Sequence, residues 1–234
     1  DILLRCPECL PAGDLPKGDD GKMSRIKEVA DVWFESGAMP FAQWHYPFEN
    51  KNLVDGGAQY PADYICEAMD QTRGWFYTLL AVATLLDRGI PYRNVISIGL
   101  LLDKNGQKMS KSKGNVVDPW QMIQKYGADS IRWLFYTINP PGEPKRFDEN
   151  DLGKTLRKIF LLTYNSFAFY QLNSDAKENA IKILDKWITA RLQETIGNVT
   201  RLLEKYEVGE AAKGIELLID DLSRWYIRRS RKNV

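Results

Sequence analysis

Apolar and polar positions follow two rhythms along this chain of 234 residues. From Tyr60 to about residue 138, short apolar runs alternate with segments of helical period, and beyond it only the helical period remains. Asp63-Tyr64-Ile65-Cys66 is a short strand candidate. Gln71 to Arg88 carries apolar residues at helical spacing and stops at Gly89, a helix-terminating residue. Asn94 to Leu102 holds Val95, Ile96, Ile98 and a leucine run, the pattern of a strand buried on both faces. Strand, helix and buried strand predict a βαβ unit with parallel pairing. Asp103-Lys104-Asn105-Gly106 predicts a tight turn. Asp118-Pro119 predicts a helix start, with Asp118 as N-cap, Pro119 at the first helical position and Gly127 at the end. Ala128 to Ile138 predicts a second short helix, stopped by Asn139-Pro140-Pro141-Gly142. That cluster is the best candidate domain boundary.

After the boundary every segment predicts helix. Leu152, Leu156, Ile159, Thr163, Phe167 and Tyr170 mark one face of a first helix. Leu184, Ile188, Leu192, Thr195, Val199, Leu202 and Tyr206 mark a second, and Val208, Ala211, Ile215, Leu218, Leu222 and Trp225 a third. Such amphipathic stripes predict a bundle. The fold class is therefore α/β followed by an all-α helical bundle.

Composition narrows the function classes. Hydrophobic residues at 44% and charged residues at 27% exclude disorder as the main state. The apolar run Thr78 to Leu86 contains threonines and is far short of a membrane span. Thirty-two basic and 31 acidic residues leave a formal charge of +1, which excludes a globally basic nucleic-acid binder but not a local basic patch. Three cysteines point to a reducing cytoplasm. Cys6-Pro7-Glu8-Cys9 has half of a zinc-knuckle spacing. A structural zinc takes about four ligands, and only the distant Cys66 and His45 remain, so a plain turn with two thiols is expected and zinc is not. The chain opens on Asp1 with no signal-peptide pattern. It ends in a helix carrying Arg224, Arg228, Arg229, Arg231 and Lys232 with no cap, so a fragment is expected.

The chemistry concentrates in Lys108-Met109-Ser110-Lys111-Ser112-Lys113-Gly114-Asn115, just past a predicted buried strand. Ligands of open α/β sheets bind outside the carboxyl ends of strands. Lysines there neutralise phosphate oxygens and serine hydroxyls add donors. The plain alternative is a solvated basic loop.

This loop matches the Lys-Met-Ser-Lys-Ser signature of class I aminoacyl-tRNA synthetases, and Gly114-Asn115 follow the family's continuation. Asp31-Val32-Trp33-Phe34-Glu35-Ser36-Gly37 resembles a segment of the isoleucine, valine and leucine subgroup. Glu67-Ala68-Met69-Asp70-Gln71-Thr72-Arg73-Gly74-Trp75-Phe76 resembles the matching segment of the isoleucine-specific members, with Ala68 where the family often has Gly. The resemblance covers nearly the whole chain. It implies the second half of a Rossmann-like parallel-sheet catalytic domain over residues 1–145, and the start of a helical anticodon-binding domain over 146–234.

It also implies activation of isoleucine with ATP, accompanied by Mg2+, and transfer of the aminoacyl group to tRNA. Lys108 and Lys111 would hold the departing pyrophosphate, with Ser110 and Ser112 beside it. Glu67, Asp70 and Gln71 would contact the adenylate. Asp70 could instead cap the helix that begins near Gln71. Trp33 and Trp75 would wall the aliphatic side-chain pocket, against ordinary core packing. Arg224, Arg228 and Arg231 share one helix face that would meet tRNA phosphates, or pair with Glu216, Asp220 and Asp221.

The family's His-Ile-Gly-His signature needs two histidines, and this chain has one. His45 therefore reads as a loop or packing residue, and the chain alone is expected to be inactive. A valine or leucine relative, another nucleotidyl transferase, and a non-catalytic tRNA-binding helical module remain the alternatives.

Overall fold

The computed structural model describes residues 31–174 and 182–231. The chain divides into two compact units, one comprising residues 1–61 and 72–91, the other 62–71 and 92–234.

The described part of the first unit is three helices: α1 (Val32–Ala42), α2 (Lys51–Asp55) and α3 (Trp75–Leu85). Asp31 starts α1, its carboxylate accepting the Trp33 N–H at 2.7 Å. Gly37 lets α1 and α3 touch, because a Cβ there would lie 2.7 Å from the Thr78 carbonyl oxygen. Further along, Phe41 of α1 buries against Val82 and Ala83 of α3, with Val54 and Tyr60 closing the core. The predicted helix 71–88 is shorter than its apolar pattern. Met69–Arg73 forms a tight 3-10 turn, and Gly74, at φ −134° and ψ −112°, separates it from α3. Asp70 therefore does not cap α3. At its other end α3 stops at Leu85, three residues short of the predicted Arg88, and Asp87 and Gly89, both left-handed at φ 51° and 69°, lie in the turn that follows.

In the second unit β1 (Ile65–Ala68) pairs in parallel with β2 (Val95–Ile98), Ile65 opposite Val95 and Ala68 opposite Ile98. The predicted strand 94–102 is not one strand buried on both faces. It breaks after Ile98 and resumes as β3 (Leu101–Leu102), which pairs in parallel with β4 (Lys145–Arg146). Val95 and Leu101 are exposed. Gly99 explains the break. Its N–H donates to the Pro141 carbonyl at 2.8 Å, and a Cβ on it would stand 2.1 Å from the Glu143 carbonyl oxygen. The Pro140–Gly142 turn thus lies backbone to backbone on the strand. Buried Lys145 fastens that turn, donating from Nζ to the Asn139 side chain at 2.6 Å and to the Asn139 and Pro140 carbonyls at 3.1 and 3.2 Å. Burial holds its ammonium below the usual lysine range.

Helices α4 (Pro119–Tyr126) and α5 (Ala128–Thr137) begin and end as the sequence reads. Asp118 accepts the Trp120 N–H at 2.8 Å, and Gly127 terminates α4 at φ 80°. Next come α6 (Glu149–Thr155), a π-helical stretch Leu156–Leu161, and α7 (Leu162–Leu172). Helices α8 (Ile183–Glu204) and α9 (Val208–Asp220) pack together, and a second π stretch, Asp221–Ile227, leads into α10 (Arg228–Ser230). The α8 face agrees with its apolar stripe except at Leu192, which is exposed, Thr195 being buried and Leu184, Ile188, Val199, Leu202 and Tyr206 half-buried.

Two stripes fail in their second halves. Leu152 and Ile159 are buried, but Phe167 and Tyr170 are exposed while Ser166 and Phe169 turn inward. Trp225 is exposed while Tyr226 turns inward. Each π stretch breaks the 3.6-residue period, so a stripe extrapolated across it no longer marks the inward face, which lies one position earlier after the first stretch and one later within the second.

Gly99→Ala should lower stability by about 3 kcal/mol, because the clash is with backbone that cannot swing aside. A urea midpoint unchanged by the substitution would show that the turn is not seated on Gly99.

Candidate functional site

Both candidate phosphate and adenylate segments of the second unit follow the carboxyl ends of strands. Glu67 and Ala68 end β1, and Asp70 and Gln71 sit in the 3-10 turn directly after it. Glu67 and Asp70 are exposed carboxylates. Cys66, just before them, has its thiol pushed up by burial and by the neighbouring Glu67 charge.

The lysine loop leaves β3 through the Asp103–Gly106 turn and returns along it, Lys108 bridging Leu102 in antiparallel sense. Lys108, Lys111 and Lys113 are exposed. Met109, between the first two, packs instead on the buried cluster of Leu134, Phe147 and Leu152. The chain thus turns an apolar side chain inward and its cationic neighbours outward. Lys111–Lys113 forms one 3-10 turn, ended by Gly114 in the left-handed region at φ 66°. The Ser110 and Ser112 hydroxyls lie 3.2 Å apart. Asn115 donates to Asp103 at 2.8 Å. That bond, with the Gln107 and Asn105 amides, holds the Asp103 carboxyl below the usual aspartate range. Met109, Asn115 and Asp103 were not among the candidate residues of the sequence. The visible signals are an apolar residue between two lysines and an Asn after a turn glycine.

In the first unit, the Trp75 indole N–H donates to the Ser36 carbonyl at 3.1 Å, and the Ser36 hydroxyl donates to the Trp33 carbonyl at 3.0 Å. Trp33 and Trp75 begin α1 and α3, at the same end of a parallel helix pair. Trp33 is exposed and Trp75 half-buried. His45 is an exposed turn residue at φ 54°, its Nδ1 3.4 Å from Glu49.

Arg224, Arg228 and Arg231 do share a surface, a groove of about 320 Å³ completed by Asn165, Ser166 and Ser223. Of the three acids offered as partners, only Asp220 takes one, Arg224 at 3.0 Å. Glu216 instead accepts from Trp133 at 2.8 Å and Lys158 at 2.5 Å, and Asp221 from Arg191 at 3.0 Å. Cys6 and Cys9 lie outside the described residues. Among the described residues no three Cys, His, Asp or Glu side chains converge as metal ligands, and no helix is long and apolar enough to cross a membrane.

The family model for class I tRNA synthetases of the I, L, M and V group matches residues 8–146. The chain belongs to this family. The model for the anticodon-binding domain of tRNA ligases matches residues 185–234. An isoleucine–tRNA ligase of Clostridium novyi is 45% identical over 98% of the chain. The chain spans 22% of that relative's length. Among solved structures, the ternary complex of LeuRS, tRNA and LeuAMS from Agrobacterium radiobacter K84 shares the fold at a TM-score of 0.69, with 20% identity over 99% of this chain and 29% of that one. Mycobacterium tuberculosis methionyl-tRNA synthetase with methionyl-adenylate gives 0.66, with 22% identity over 81% of this chain and 38% of that one. At those identities the likeness is one of fold. The synthetase signature in this chain is therefore a loop whose lysines face solvent and whose methionine is anchored in the core.

The lowered Asp103 value has a sign. A carboxyl depressed in the fold stabilises its loop fully above the ordinary aspartate range, and that contribution is lost as pH falls through the lowered value. The Asn105 and Gln107 amide resonances should accordingly hold steady from neutral pH down to the ordinary range and shift only below it. A midpoint above that range would contradict the bonding described.

Proposed function

We propose that this chain provides part of an isoleucine–tRNA ligase: the second half of the catalytic domain over 1–145 and the start of a helical anticodon-binding domain over 146–234. The observation that carries the reading is the Lys108–Ser112 loop. Its exposed ammonium groups are rooted on either side of a half-buried methionine that packs on the core, beyond the carboxyl end of a parallel strand. The proposed reaction joins an isoleucine carboxylate oxygen to the α-phosphorus of ATP. The bond from that phosphorus to the β-phosphate bridging oxygen breaks, and pyrophosphate leaves. Negative charge grows on the departing group. Lys108 and Lys111 neutralise it there, so they lower the barrier more than they tighten ground-state binding. Ser110 and Ser112 add hydroxyl donors. Glu67, Asp70 and Gln71 offer acceptors and an amide to the adenylate ribose and the amino-acid end. Trp33 and Trp75 wall the aliphatic pocket. Magnesium would accompany ATP and neutralise phosphate oxygens when bound.

Isoleucine is preferred over leucine and methionine because a ligase named for isoleucine is 45% identical to this chain, whereas the leucine and methionine enzymes share the fold at 20% and 22%. Transfer to tRNA fits the arginine groove. With Glu216 and Asp221 occupied elsewhere, Arg228 and Arg231 keep their charge available for phosphates. The three thiols suit a cytoplasmic enzyme.

The test replaces the matching segment of the Clostridium novyi ligase with residues 31–231. Isoleucine-dependent pyrophosphate exchange should persist. Lys111→Ala in that chimaera should slow it by about 10²-fold, the usual loss for one preorganised electrostatic group, with little change in isoleucine KM. An unchanged rate removes the loop from the mechanism. In the same chimaera, replacing Arg224, Arg228 and Arg231 with Gln should flatten the salt dependence of tRNA binding by about one unit of slope per lost phosphate contact. An unchanged slope means that the stripe only solvates its helix.

A further inference from the structure

The loop between β3 and α4 consists of two small turns that its own backbone does not join. In the first, the Asp103 N–H donates to the Gln107 carbonyl and the Gly106 N–H to the Asp103 carbonyl, both at 2.9 Å. In the second, the Lys113 N–H donates to the Ser110 carbonyl and the Gly114 N–H to the Lys111 carbonyl, both at 3.2 Å. The first turn carries the chain out from β3, and the second carries Lys111.

One side chain spans them. The Asn115 carboxamide oxygen accepts the Ser110 N–H at 2.9 Å. Its nitrogen donates to the Asp103 carboxylate at 2.8 Å and to the Lys108 carbonyl at 3.3 Å. Asp103 is itself fixed by accepting the Asn105 and Gln107 amides at 2.9 and 2.8 Å. The three points that Asn115 grips therefore belong to the first turn, to Lys108, and to the residue before Lys111. Between the last two lies Met109, held in the core.

The geometry points to Asn115, held by Asp103, as the positioning residue that sets where the Lys108 and Lys111 side chains leave the loop. The assignment rests on reading those lysines as the groups that meet the nucleotide phosphates. The chemistry of the grip is specific. It needs one acceptor and two donors on a planar group one methylene from the backbone, and among side chains only asparagine supplies that. Aspartate at 115 would keep the acceptor, lose both donors and set a like charge against Asp103. Glutamine would push the amide one methylene too far.

The rigidity has a function that ordinary stability does not need. Two flexible lysine side chains lose affinity for every rotamer and backbone state that must be frozen on binding. A loop already closed by Asn115 has lost those backbone states beforehand. The residue contributes little to the global fold, because it joins only surface turns.

The experiment uses the full 234-residue chain with Asn115→Asp, Lys111→Ala, and the swapped pair Asp103→Asn/Asn115→Asp. The swap restores a donor between positions 103 and 115 and keeps the acceptor for Ser110. Three quantities are measured: trypsin cleavage after Lys108, Lys111 and Lys113, affinity for inorganic tripolyphosphate, and the urea midpoint. Asn115→Asp should raise loop cleavage and weaken tripolyphosphate by about tenfold each, the scale of one lost charge-assisted bond, with the urea midpoint unmoved. The swap should recover most of both effects. The proposal is overturned if Asn115→Asp leaves cleavage and affinity unchanged while Lys111→Ala loses affinity, and in that case the lysine reading stands. It is overturned as a positioning role if the urea midpoint falls in step with affinity. If cleavage rises but neither Asn115→Asp nor Lys111→Ala alters affinity, the phosphate reading fails and the proposal falls with it.

Discussion

The burial of Met109 is the constraint around which the lysine loop is organised. A methionine side chain gains roughly 1.5–3 kcal/mol on full burial, and a half-buried one gains part of that. That gain is sufficient to fix which way a short loop faces. The cluster that receives Met109 also holds Leu134 of α5, Phe147 just after β4, and Leu152 of α6, which is completely buried. Loop, sheet edge and first bundle helix therefore share one core. Met109 thereby ties the lysine loop to that core, beside the hydrogen bonds that Asn115 makes within the loop.

Charged residues do a second kind of joining. Lys125 and Tyr126 of α4 both donate to Glu149 of α6, at 2.6 and 2.9 Å. Glu216 of α9 receives Trp133 of α5 and Lys158 of the first π stretch. Exposed pairs of this kind are individually weak. Glu216 is different, because its side chain is only 14% exposed and two donors from separate elements converge on it. Committing such acids to the interior of the bundle leaves the arginines at its end under-compensated. The local basic groove on a nearly neutral chain follows from where the carboxylates are used, not from an excess of cations.

Much of this was legible from residue patterns. The capped helices starting at Asp118 and Ala128 emerge where their signals lie, because Asp-Pro and Gly act through local backbone geometry alone. The candidate loop was conspicuous because three lysines and two serines stand together in six residues. What misled was long-range. Nothing local marks Gly99 as the seat of a turn formed 40 residues later, so Asn94 to Leu102 read as one continuous strand. Gly74 reads as part of a helical run, although its backbone angles exclude it. Asn115 has no role visible in the sequence, because an asparagine's partners depend on how a loop folds back. The inward faces failed after Leu156 and after Asp221 for one shared reason, since a stripe read at a fixed 3.6-residue period cannot register a widened turn.

Those two widened turns carry an implication for how this part of the molecule can vary. Removing one residue from either π stretch would let it tighten into an ordinary α-helix, with every backbone bond still made. The helix would survive, but all that follows would rotate by about 100°. Phe167 and Tyr170 would then swing toward the core, into the places that Ser166 and Phe169 hold. Side chains here can be exchanged one at a time, but the number of residues cannot drift by one without re-aiming a whole helix. The stretches thus act as phase counters, in which segment length is under tighter control than segment composition.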